Sequence, residues 1–150
     1  MPDLVTHTTI AYLLSNNARF TRYRAFFYLG TILPDIITRP IYIIKPELYG
    51  YTTGMHTPVY VFVLILLFAE LFRKEYSRFV RLYMVSGALL HFFLDALQRH
   101  LVGGYYWFFP FSFKTYNWGL FWPDSAVQLF PFWIATIAIV EFIIRTKRLP

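Results

Sequence analysis

His91 and Asp95 lie four residues apart in the otherwise apolar stretch from Met84 to Leu97. On a helix an i, i+4 pair shares one face, one turn apart, so imidazole and carboxylate can hold one ligand together. Ionisable side chains in an apolar, bilayer-length segment are costly and mark functional sites. Asp3 and His7 repeat the spacing in reverse order near the N-terminus. His and carboxylate ligands on helices suit zinc and other divalent transition metals. Such an ion brings the pKa of a bound water toward neutrality and stabilises charge building on a phosphoryl or carbonyl oxygen. The alternative for His91 and Asp95 is an internal hydrogen bond tying two helices. For Asp3 and His7 it is an exposed turn, with Asp3 as helix N-cap.

Further candidates are spread along the chain. Asp35 follows Pro34, His56 precedes an apolar run, and Arg39 and Arg99 flank the same regions. With no cysteine, a metal must use His, Asp, Glu or backbone oxygen. No G-x-S-x-G elbow, Walker loop or H-E-x-x-H motif is present. His100 reads as an interfacial histidine and Asp124 as the N-cap of the last helix.

The elements that must position these residues are membrane-like. Of the 150 residues 57% are hydrophobic, 22% aromatic and only 15% charged, against about 25% charged in a soluble domain. Mean hydropathy is +0.47. The expectation is a single all-α domain, residues 1–150, folded as a polytopic membrane bundle of about four to five helices. Three segments approach the roughly 20 residues of a crossing and are strong spanning candidates: Thr57–Phe72, Phe79–Leu97 and Ala126–Ile144. Two weaker helices precede them, Leu4–Leu14 and about Arg22–Leu33, the second stopped by Pro34. No cleavable leader is expected, because Asp3 stands where a basic region would lie.

The basic residues orient this arrangement. Five alternating crossings put Arg19, Arg22, Arg24, Arg73, Lys74, Arg78, Arg81, Arg145, Lys147 and Arg148 on one side, ten of the 14 Lys and Arg. The positive-inside rule makes that side cytoplasmic. An inner-membrane protein follows, with its N-terminus outside and its C-terminus in the cytoplasm. The same topology gathers Asp3, His7, Asp35, His56, His91 and Asp95 on the outer side, although none of them entered the charge count. Residues 98–125 form an aromatic outer loop, read as an interfacial belt or as a lid over the site. Nucleic-acid binding is not expected, because the basic residues fit the topology rule and the aromatics lie opposite them.

In order, His7, Gly30-Thr31-Ile32-Leu33-Pro34-Asp35, Gly54-Met55-His56-Thr57, His91-Phe92-Phe93-Leu94-Asp95 and Phe109-Pro110-Phe111-Ser112 resemble the LexA-regulated, membrane-bound metal-dependent hydrolases. The resemblance covers most of the chain and implies a helical membrane protein with a metal-dependent hydrolase site. More distantly, the chain is similar to the soluble, all-helical zinc-dependent phospholipase C family, which cleaves phosphodiesters with His and Asp ligands. It departs from the first pattern at Ile37, where a second acidic residue is common, and at Tyr51, Thr52 and Thr53, where an additional His is common. Fewer ligands bear on both metal count and activity.

The combined expectation is a hydrolase that cleaves a phosphoester, lipid or soluble, at the outer interface by a metal-activated water. His7, Asp35, His56, His91 and Asp95 would hold one or two divalent ions, zinc first. Asp3 or Asp95 would take the proton, and Arg39 and Arg99 would bind the anionic substrate. The alternative is a non-catalytic membrane protein whose cluster binds metal or fixes helix packing. An ion or proton carrier ranks last, because the inner helix halves carry almost no polar residues.

Overall fold

The computed structural model describes residues 4–16, 22–100, 104–120 and 128–147. Among them lie six helices: α1 (Leu4–Ser15), α2 (Arg24–Ile44), α3 (Tyr49–Met55), α4 (Pro58–Ala69), α5 (Lys74–Leu97) and α6 (Phe130–Lys147). A 3-10 turn, Pro46–Leu48, joins α2 to α3. The described residues contain no strand. An isolated antiparallel bridge between Tyr105 and Tyr116 closes the aromatic loop. The chain is thus the expected all-α membrane-type bundle, with α3 as an unanticipated extra helix.

Two expectations need correction. Pro34 does not stop the second helix: α2 continues through Pro34 and Pro40 to Ile44, so Asp35 sits inside a helix and not at its end. Proline removes one helical N–H, which leaves the Gly30 carbonyl without its i+4 donor. Membrane helices tolerate this where neighbouring groups and packing compensate, and α2 is packed along α5. Next to the lesion, Thr38 Oγ1 donates to the Pro34 carbonyl at 2.8 Å.

The second correction concerns Thr57–Phe72. Its helix is only 12 residues, Pro58–Ala69, or roughly 18 Å at 1.5 Å per residue, too short to cross alone. Pro58 forces the preceding residue out of the helical region, and Thr57 is extended at φ −122°, ψ 150°. The segments Pro46–Met55 and Pro58–Ala69 therefore meet at a 72° bend. By length and composition α2 and α5 can each cross a membrane, and the bent pair is a third candidate, in place of five full crossings; among the described residues α6, where Ala126–Ile144 was expected to span, is not one of the candidates.

The core follows a four-residue rhythm. Val61, Ile65 and Ala69 of α4 interlock with Val80, Met84, Ala88 and Phe92 of α5, a ridge-in-groove arrangement of i, i+4 rows. α2 lies even closer to α5. A Cβ on Gly30 would stand 2.1 Å from the Met84 carbonyl oxygen, and one on Gly87 would stand 2.1 Å from that of Phe27. Only glycine permits this contact, as in other membrane helix pairs that meet through small residues. Large apolar side chains point outward instead, among them Leu66 and Leu67 of α4, Leu82, Leu89 and Phe93 of α5, and Phe132, Ile139 and Phe142 of α6.

Paired contacts fix the helix directions. Tyr23 stacks on Phe79 at one end, and Thr31 meets His91 further along, so α2 and α5 run parallel. α4 is antiparallel to α5, with Phe62 against Phe92. α6 runs parallel to α1, through Trp133 to Thr6 and Tyr12 to Glu141. His7, Asp35, His56, His91 and Asp95 consequently gather at one end of the bundle. Arg22, Arg24, Arg73, Lys74, Arg78 and Arg81 lie toward the other.

Candidate metal centre

His7 comes from α1, Asp35 from α2, His56 from the bend between α3 and α4, and His91 and Asp95 from α5. All five side chains are at most 3% exposed. The bend places His56: α3 ends one residue before it, and Thr57 and Pro58 redirect the chain after it. His91 is carried on the face of α5 that Gly87 brings against α2.

The histidines are oriented by the main chain of α2. His91 Nδ1 lies 2.7 Å from the Thr31 carbonyl oxygen. His56 Nδ1 lies 3.2 Å from the Pro34 carbonyl oxygen and 3.3 Å from Thr38 Oγ1. A carbonyl only accepts, so both Nδ1 atoms carry hydrogen and both neutral rings present a lone pair on Nε2. This tautomer is what metal-binding histidines adopt when the far nitrogen is anchored.

The two Nε2 atoms then meet at 3.1 Å. Asp95 Oδ2 lies 2.8 Å from His56 Nε2 and 3.3 Å from His91 Nε2. Three acceptor atoms converge, and a cation must stand among them: a metal ion or a proton on one ring. Donors around a tetrahedral zinc, bonded at about 2.0–2.1 Å, lie roughly 3.3 Å apart. The spacing of this group fits that requirement.

His7 widens the cluster. Its ring stacks on His91 with centroids 4.1 Å apart, and its Nε2 lies 3.4 Å from Asp95 Oδ1. Neither ring nitrogen of His7 makes a hydrogen bond among the described residues, nor does Asp95 Oδ1. Buried polar atoms are rarely left this way, and a divalent cation would complete them. Two groups have donor atoms within 4.8 Å of one another: His7, Asp35 and His91, and His56, His91 and Asp95. Asp95 directs one oxygen to each side, a position from which a carboxylate can bridge two ions.

Asp35 and Arg39 form an i, i+4 ion pair, with Oδ2 and Nη2 2.7 Å apart. Arg39 thus reaches the edge of the cluster. Arg99 does not: its Nε donates to the Gly119 carbonyl at 3.3 Å, and it lines a separate cleft with His100 and Trp118. His100 also borders the cleft that leads to His56, so the two clefts adjoin. Asp3 and Asp124 lie outside the described residues.

Sequence reading missed two contributors. One is the pair of α2 carbonyls, which carry no side-chain signal. The other is Tyr105, grouped there with the belt aromatics. Its ring lies 6.1 Å from that of His56, and its hydroxyl is buried.

The outward-facing apolar surface and the buried His/Asp cluster define a helical integral membrane protein with a polar centre. The chain belongs to the YdjM inner membrane protein family, whose model matches residues 3–149. No curated protein and no solved structure matches it.

Proposed function

We propose that this protein is a membrane-embedded, metal-dependent hydrolase acting on a phosphoester at the outer membrane interface. The observation that carries the reading is the convergence of two carbonyl-anchored histidines and Asp95 with their acceptor atoms facing one another. A divalent ion, zinc first, would be held by His56, His91 and Asp95, with His7 and Asp35 completing the set or binding a second ion. When bound, it supplies Lewis acidity and an activated water. Asp95 Oδ1 is the carboxylate oxygen placed to accept a proton, and Asp3 is the other candidate. Arg39 balances Asp35 and offers a guanidinium that can pair bidentately with a phosphate. Arg99, in the adjoining cleft, would contact only a more distant part of the same substrate.

The test is a panel of phospholipids and soluble phosphodiesters, assayed with and without chelator. The expected result is chelator-sensitive turnover, lowered about 10- to 100-fold in Asp35→Ala, the scale on which metal-site support acts. A metal-loaded, folded protein inert toward phosphoester, carboxylic ester and amide substrates would leave the non-catalytic alternative. That alternative has its own support, since 2.8 Å between His56 Nε2 and Asp95 Oδ2 also suits a hydrogen bond from a protonated ring.

Orientation is tested separately. A reporter fused after Pro150 is expected in the cytoplasm, and one inserted in residues 98–125 outside, by the basic-residue rule. The reverse pattern would move the proposed site to the cytoplasmic face.

A further inference from the structure

Beside the metal centre a narrow cleft runs outward between α2, α3 and the aromatic loop, lined by Thr38, Tyr42, Thr52, His56, His100 and Tyr105. Its free volume is about 10 Å³, room for roughly one water. Its walls are built from Thr, Tyr and His side chains, which expose mainly carbon and keep most of their polar atoms buried. Most of these hydroxyls have local work: Thr38 donates to Pro34, and Thr52 to the Tyr49 carbonyl at 2.8 Å.

Tyr105 is different. It is 5% exposed, and its buried hydroxyl lies near the Asp95 carboxylate without a hydrogen bond of normal geometry among the described residues. The position is nevertheless closely determined. Tyr105 exchanges two backbone hydrogen bonds with Tyr116, at 3.0 and 3.1 Å. Gly104 turns the chain into that bridge at φ +109°, where a Cβ would stand 2.7 Å from the Tyr116 carbonyl oxygen. The ring is held edge to face against His100 at 4.6 Å and tilted against Trp107 at 5.6 Å. A well-positioned donor is thus held in the wall of this cleft, next to the proposed ligands.

We propose that this cleft receives one oxygen of the substrate's phosphoryl group and that the Tyr105 hydroxyl donates a hydrogen bond to it. The proposal rests on the metal-dependent hydrolase reading and deepens it by naming the phosphoryl site. A phenol, with an ordinary pKa of about 10, is protonated and a donor at neutral pH. The free volume, about 10 Å³, matches one phosphoryl oxygen.

The experiment uses full-length, zinc-loaded protein in detergent, with inorganic phosphate as the calorimetric probe and metal content measured on the same samples. Tyr105→Phe keeps the ring contacts and removes only the hydroxyl. The expected result is unchanged zinc content with phosphate affinity weakened roughly tenfold, the scale of a lost hydrogen bond to a charged group. Displacement of phosphate by phosphatidic acid in mixed micelles, and not by glycerol phosphate, assigns the site to a lipid; the reverse assigns it to a soluble ester. Either supports the cleft. Equal phosphate affinity in wild type and Tyr105→Phe, at equal zinc content, overturns the proposal while leaving the metal reading intact. Zinc-loaded wild type that binds no phosphate does the same. Wild type that takes up no zinc overturns both.

Discussion

Replacing His91 by alanine is expected to abolish metal retention. His91 is the one residue common to both groups of converging donors, and its Nε2 faces His56 Nε2 at 3.1 Å. Its loss removes a ligand from either arrangement and also the ring on which His7 stacks. Supporting groups around metal ligands already contribute 10- to 100-fold in affinity, so loss of a ligand should cost at least about 100-fold. Asp95→Ala should act similarly, because its two oxygens approach three histidines. The measurement is metal content after purification in zinc-supplemented buffer, beside circular dichroism to show that the helices remain. Added imidazole should restore part of the occupancy in His91→Ala by refilling the cavity. Wild type and both variants that emerge equally metal-free would end the metal-centre reading.

Gly87→Val is expected to destabilise the bundle severely. The new Cβ would start 2.1 Å from the Phe27 carbonyl oxygen and 2.7 Å from the Thr31 nitrogen. Both are main-chain atoms of a helix, so relief requires α2 and α5 to separate. Overpacking costs about 1–3 kcal/mol where side chains can adjust; here the backbone must move, and the upper end or more is expected. Separation would also draw the Thr31 carbonyl away from His91 one turn further on, so metal should be lost along with stability. Gly50→Ala is the control, since a Cβ there meets nothing within 4 Å. Thermal melting of the detergent-solubilised protein, with metal content read on the same samples, decides the matter. A Gly87→Val protein that melts with wild type would mean that the two helices do not approach this closely.

The ligand candidates were legible because charged and imidazole side chains stand out in apolar runs where burial is expensive. The Lys and Arg positions supplied a grouping with which the helix directions agree for His7, Asp35, His56, His91 and Asp95; Asp3 lies outside the described residues. The rest was hidden for physical reasons. Pro34 signals a helix end by local rules, and only packing against α5 explains why α2 continues. Thr57–Phe72 looked like a full span because hydropathy does not register where a helix stops, here at Ala69, or that the chain before it turns at His56. Tyr105 reaches the site by tertiary folding of a loop, from a sequence stretch in which most residues are aromatic. The orienting carbonyls of Thr31 and Pro34 belong to the repeating backbone, which reads the same at every position.

That anonymity gives the site a form of robustness. Where a side chain orients a ligand, a single codon change can remove the orienting group. Here the partners of His56 and His91 are peptide carbonyls, which no substitution deletes. Mutation can reach these contacts only by sliding or tilting the helix that carries them. Drift in residue identity along α2 is therefore buffered, whereas drift in its placement against α5 is not.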